Sequence, residues 1–230
     1  MTTSDLSSLA AALDAELRAL PKRRTPSVRP IIKKYAQTCA DYSPDQILTL
    51  TQLLIQNYQE RIVAYELLSY HRPAMSSLGK GELETLGQGI NSWWSVDTFA
   101  RLLAGPAWMK GQLVDEVIIG WAESQNFWWR RAALVSTIAF NMRSQGGKGD
   151  VKRTIMICRM LACDHEDMVV KALSWALRQL VWVDRAAVEG FLQEYDYCLA
   201  GRVKREVHNK LDTGLKNPKN NLTAVKSRGV

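Results

Sequence analysis

Apolar residues recur at spacings of three and four along nearly the whole chain, and strict polar–apolar alternation is almost absent. That period is helical, and it leaves no room for a sheet as the organising layer. It predicts helices over roughly 4–20, 29–40, 44–56, 59–70, 80–88, 92–104, 109–123, 127–142, 150–163, 166–181, 185–196 and 199–213. Ser43-Pro44 and Asp184 carry helix-opening chemistry, and Gly105-Pro106 and Gly146-Gly-Lys-Gly149 punctuate the run. With 230 residues, 47% hydrophobic, and only 14 Gly and 7 Pro, the chain is neither collagenous, low-complexity nor a disulfide miniprotein. The apolar runs are too short for a membrane helix. The acidic N-terminus does not read as a signal peptide. The scattered Cys39, Cys158, Cys163 and Cys198 are expected to be reduced thiols.

A weak internal repeat overlies the helices. Segments 96–104, 130–140 and 170–180 each combine small residues with an apolar face, and each opens with a polar residue: Asp97, Arg131 and Lys171. Their separations, 34 and 40 residues, suit a two-helix repeat of HEAT type. The expected architecture is an all-α, right-handed solenoid over residues 1–213, followed by a basic tail over 214–230. Stacked hairpins curve around a concave face, and equivalent positions line it together, so Asp97, Arg131 and Lys171 are expected in one groove.

Charge is polarised along the chain. Of the net charge of +7, residues 21–35 and 201–230 each carry +6, which leaves the remainder at −5. Basic clustering of this kind suits a polyanion, nucleic acid above all. Trp93 and Asp97 are four apart on one helical face, as are Lys171 and Trp175. Phe127-Trp-Trp-Arg-Arg131 adds an aromatic and basic cluster, whereas Trp108, Trp121 and Trp182 are expected to fill the core. An aromatic wall beside a carboxylate is what a planar cation requires. Cys158, Cys163 and His165 lack a second ligand pair at finger spacing, so no metal site is expected. The glycine run lacks the Ser or Thr and the preceding strand of a phosphate-binding loop. His71 and His208 are expected at the surface without partners.

Residues 91–100 (NSWWSVDTFA), 121–134 (WAESQNFWWRRAAL) and 171–178 (KALSWALR), with fainter echoes at 26–29 and 204–206, resemble the AlkD-type DNA alkylation repair family. The resemblance implies a helical solenoid cradling alkylated double-stranded DNA on its concave face. It also implies hydrolysis of the N-glycosidic bond of cationic N3- or N7-alkylated purines, with no metal, nucleotide or other cofactor. Carried over by position, Asp97 is the catalytic carboxylate, and Trp93 and Trp175 contact the lesion nucleotide. Arg131 grips the DNA backbone with Lys171 as a second contact, and Arg130, Arg29, Lys204 and Arg205 add to the DNA-binding surface. A cytoplasmic monomer, at the nucleoid when acting on DNA, is the corresponding expectation. The sequence departs from the family pattern in placing Trp94 where an acid is usual and Ser92 where the first tryptophan is usual. Two other readings stay open: a non-catalytic binder of damaged or branched DNA, and a HEAT-type scaffold that holds a peptide.

Overall fold

The computed structural model describes residues 3–218, and every regular element among them is helical. Helices α1 (Thr3–Arg18), α2 (Thr25–Thr38), α3 (Pro44–Tyr58) and α4 (Arg61–Tyr70) open the chain. The short α5 (Arg72–Ser76) and α6 (Lys80–Gly87) lead to α7 (Trp93–Phe99), a π-helical turn (Ala100–Ala104) and α8 (Gly105–Met109). Then follow α9 (Asp115–Ala122), α10 (Phe127–Ser136), α11 (Ile138–Asn141) and α12 (Val151–Met160), and finally α13 (Asp167–Leu180), α14 (Arg185–Glu194) and α15 (Gly201–Thr213). The predicted starts at Ser43 and Asp184 hold: each side chain accepts from the backbone N–H three residues on, that of Gln46 at 3.3 Å and that of Ala187 at 2.9 Å.

The helices form an ordered succession. α2 packs on α4, α4 on α7, α7 on α10, α10 on α13 and α13 on α15. Behind them α1 packs on α3, α3 on α4, α9 on α10 and α12, and α12 on α13 and α14. One continuous apolar core runs through both rows, from Leu6 to Leu211. Polar ties join neighbouring helices at a nearly constant separation along the chain: 37 residues for Arg23–Glu60 and Arg29–Glu66, and 34 for Arg131–Asp97 and Arg130–Asp164. The separation is 38 for Arg153–Asp115 and 35 for Arg159–Glu194.

Several expectations are corrected. Gly105-Pro106 does not end a helix. Pro106 lacks the N–H that would close an α-turn on Leu102, and the chain continues by widening to a π-turn in which Gly105 N–H reaches Ala100 O. Met109 therefore ends this helix, and the next begins only at Asp115. The predicted helix over 127–142 is interrupted at Thr137, whose hydroxyl bonds back to Leu134 O at 2.7 Å. Trp182 is not core: it lies just past α13, 67% exposed, with Lys210 Nζ 4.2 Å from its ring centroid. His71 is buried, because it opens the unforeseen α5 by accepting from Ala74 N–H at 3.1 Å.

Two of the four cysteines are not free thiols: Cys163 and Cys198 form a disulfide, while Cys39 and Cys158 are buried and free. The paired cysteines stand just before α13 and α15, and because those helices pack on each other their entry turns are neighbours. The expected tail is held over its first part. Gly214 caps α15 in the left-handed conformation, and Lys216 O accepts from Asn209 Nδ2 at 3.0 Å. Residues 219–230 of that segment lie outside the described residues. No helix among the described residues is long and apolar enough to cross a membrane.

Gly105 sits where a side chain has no room: an added Cβ would lie 2.6 Å from Ser136 O and 2.8 Å from Ala139 Cβ. Gly105→Ala is expected to cost about 1–3 kcal/mol of stability through overpacking, read as a lowered urea midpoint at unchanged slope.

Candidate functional site

α7 begins at Ser92, whose hydroxyl accepts from Ser95 N–H at 3.3 Å. This cap sends Trp93 and Trp94 out of the first turn and places Asp97 one turn after Trp93. α10 is capped in the same way by Asn126, which accepts from Trp128 N–H at 3.0 Å and puts Arg131 in the second turn. Because α7 packs on α10, the two side chains meet. Arg131 Nε and Nη2 each donate to one oxygen of Asp97 at 2.9 Å, a bidentate fork. Arg131 Nη1 donates to Met168 O at the start of α13. Arg131 is only 5% exposed, whereas Asp97 is half-buried and lines an open cleft of about 450 Å3.

That cleft gathers five of the nine residues singled out from sequence: Asp97, Arg131, Trp93, Lys171 and Trp175. Arg178, Arg202 and Lys216 line it as well and had not been foreseen. Arg178 follows Trp175 by three residues and so shares its helical face, a signal the sequence held. Lys216 comes from beyond the last helix, where periodicity gives no signal. Lys171 is ion-paired with Asp167, one turn earlier.

All three nitrogens of Arg131 are committed to Asp97 and to a backbone carbonyl, so in this structure it orients the carboxylate. Arg130 is spent on Asp164 at 2.7 Å and on the carbonyls of Ser124 and Gln125, away from the cleft. Lys204 pairs with Asp196 at 2.7 Å, and neither it nor the exposed Arg205 lines the cleft. Arg29 lies on α2, where it bonds Glu66 at 3.1 Å and borders a second, larger cleft of about 1000 Å3. Arg23, Arg24 and Arg61 also border that second cleft, over an apolar floor that includes Ile32 and Val63. Trp93 and Trp94 stack on each other at 4.0 Å, one lining each cleft, so the indole pair forms the wall between them.

Burial raises the pKa of Asp97 above the usual aspartate value, and the Arg131 fork and the charge of Arg101 oppose that rise. An ionised carboxylate with a raised pKa works against folding at pH values above its folded pKa, and that penalty is relieved as the pH falls through it.

Among the described residues the protein is all-helical, and its carboxylate–guanidinium fork faces a cleft walled by indoles and cations. The family model for DNA alkylation repair enzymes matches residues 23–211, most of the chain, and the protein belongs to that family. No curated protein matches the chain, and no solved structure matches it.

Arg131→Met should raise the Asp97 pKa further, because it removes the groups that favour the charged form. Carboxyl NMR titration of the two proteins reads the shift directly. The same substitution should cost about 3–5 kcal/mol, as expected when one partner of a buried ion pair is lost.

Proposed function

We propose that the protein is a DNA glycosylase that hydrolyses the N-glycosidic bond of cationic N3- or N7-alkylated purines in duplex DNA. The observation that carries this reading is the Asp97 carboxylate, fixed by Arg131 at the floor of a cleft between Trp93 and Trp175. Family membership supports a role in DNA alkylation repair. The ordered helix rows, with polar ties recurring every 34 to 38 residues, support a HEAT-like solenoid with the cleft on its concave face.

The chemistry follows from charge. An alkylated purine already carries a positive charge and leaves without needing a strong acid. The sugar left behind develops oxocarbenium character, which needs a fixed negative group beside it. Asp97 supplies that group, and its preorganisation by Arg131 means that little reorientation is required at the moment of bond breaking. The carboxylate is also placed to orient the attacking water. Trp93 and Trp175 offer electron-rich faces to the cationic sugar and exclude bulk water from one side. Lys171 and the other cations of the cleft supply phosphate contacts, which set register and make binding salt-dependent.

The test is single-turnover excision from duplex DNA carrying one N7-methylguanine, with abasic sites read by alkaline cleavage. Wild type is expected to excise, and Asp97→Asn to lose about 10²–10³ in rate while still binding the duplex. A wild-type protein that binds tightly but excises neither N7-methylguanine nor N3-methyladenine would sink the glycosylase reading. The wild-type rate should also fall on the acid side, along a limb above the ordinary aspartate range, because protonated Asp97 cannot stabilise the cation.

A further inference from the structure

Beside the Asp97 cleft stands a buried carboxylate that this mechanism does not use. Glu206, on α15, is 3% exposed and accepts from Ser174 Oγ of α13 at 2.7 Å. Three cations surround it: Arg202 Nη1 and Lys216 Nζ at 3.5 Å from one oxygen, and Arg178 Nε at 3.9 Å from the other. Arg202 Nη1 makes a long hydrogen bond to Glu206, Arg178 Nε donates to Ser174 Oγ at 3.2 Å, and all three cations line the cleft. Lys171 faces the same space and pairs with Asp167, which also lies 4.0 Å from Arg202. Four cations against two carboxylates leave this wall at +2, beside an Asp97–Arg131 pair that is internally neutral.

We propose that Arg178, Arg202 and Lys216, gathered by the buried Glu206, form a subsite for one backbone phosphodiester of the bound duplex, with Glu206 as its positioning residue. The inference rests on the DNA reading above and gives it a phosphate contact that Arg131, committed to Asp97, does not provide. A monoanionic phosphodiester brought into the cleft meets these three cations on one wall and reduces the excess charge. The sugar attached to that phosphate then lies toward Asp97 and the indoles, at the other end of the same cleft. Burial lowers the pKa of Arg178 against the opposing influence of Glu206, as expected for a cation still lacking part of its counter-charge. Lys216 lies past the family-matched residues 23–211.

Glu206→Gln separates positioning from simple charge. Removing a negative charge should strengthen DNA binding if Glu206 only dilutes the positive field. It should weaken binding if Glu206 holds the three cations in place. Affinity for an unmodified duplex is measured by fluorescence anisotropy across a salt series, with melting curves to establish that each variant is folded. Glu206→Gln is expected to bind more weakly than wild type, with Glu206→Asp restoring part of the loss. Exposed Lys216, whose loss leaves the core intact, gives a second arm. Lys216→Ala should lower affinity several-fold and reduce the salt slope by about one, and Lys216→Arg should retain both. Tighter binding by Glu206→Gln, or an unchanged slope in Lys216→Ala, would overturn the subsite while leaving the DNA reading intact. Wild type without salt-dependent duplex affinity would overturn both.

Discussion

The pairing of Asp97 with Arg131 is the constraint around which the functional face is arranged. A half-buried ionised carboxylate is tolerated only if a counter-charge satisfies it with good geometry. The fork provides that, but only while α7 and α10 keep their mutual register, because a guanidinium donates to a carboxylate along two fixed directions. The third donor of Arg131, on the Met168 carbonyl, extends the requirement to α13. Three helices are thereby tied at one point, and Trp93 on α7 and Trp175 on α13 take their places from it.

The same fork explains how the cleft divides its labour. A carboxylate that also had to neutralise the other cations of the cleft would present less negative charge to it. By giving Asp97 a private, buried counterion, the fold separates it from Lys171, Arg178, Arg202 and Lys216, which answer to Asp167 and Glu206. One cleft thus presents a negative group at one end and excess positive charge at the other. The Trp93–Trp94 stack closes off that cleft from the wider one on α2 and α4, so Trp94, unusual at its position, shapes the boundary between them.

How much of this could be read from sequence depended on whether a residue acts through period or through contact. Helical content, the convergence of Asp97, Arg131 and Lys171, and the shared face of Trp93 with Asp97 are periodic properties, and spacing carries them. The family resemblance gives Arg131 to the DNA backbone, and the sequence alone does not reveal which acid lies across an interface from it. Trp182 and His71 were misplaced for a related reason: both stand at helix ends, where one residue of boundary error exchanges inside for outside. Cys163 and Cys198 lie 35 residues apart, close to the interval of the polar ties, so the repeat itself held the signal for their pairing. Treated as isolated thiols, they gave none. Lys216 follows the last helix, where only the folded chain shows what it touches.

The π-turn at Ala100–Ala104 has a geometric consequence. It inserts one residue into what is otherwise a single helical path, and one residue is about 100° of rotation. Upstream of the turn, the path must aim Asp97 at Arg131; downstream, it must seat Trp108 between Phe140 and Asp115. Asp97 and Trp108 are eleven residues apart, about three full turns of a regular α-helix, which would point them in nearly the same direction. The extra residue acts as a phase shifter that uncouples these two aims. Insertions and deletions in this segment are therefore not interchangeable with substitutions: a substitution changes what one position offers, whereas a one-residue deletion would turn the Asp97 end of the helix away from Arg131.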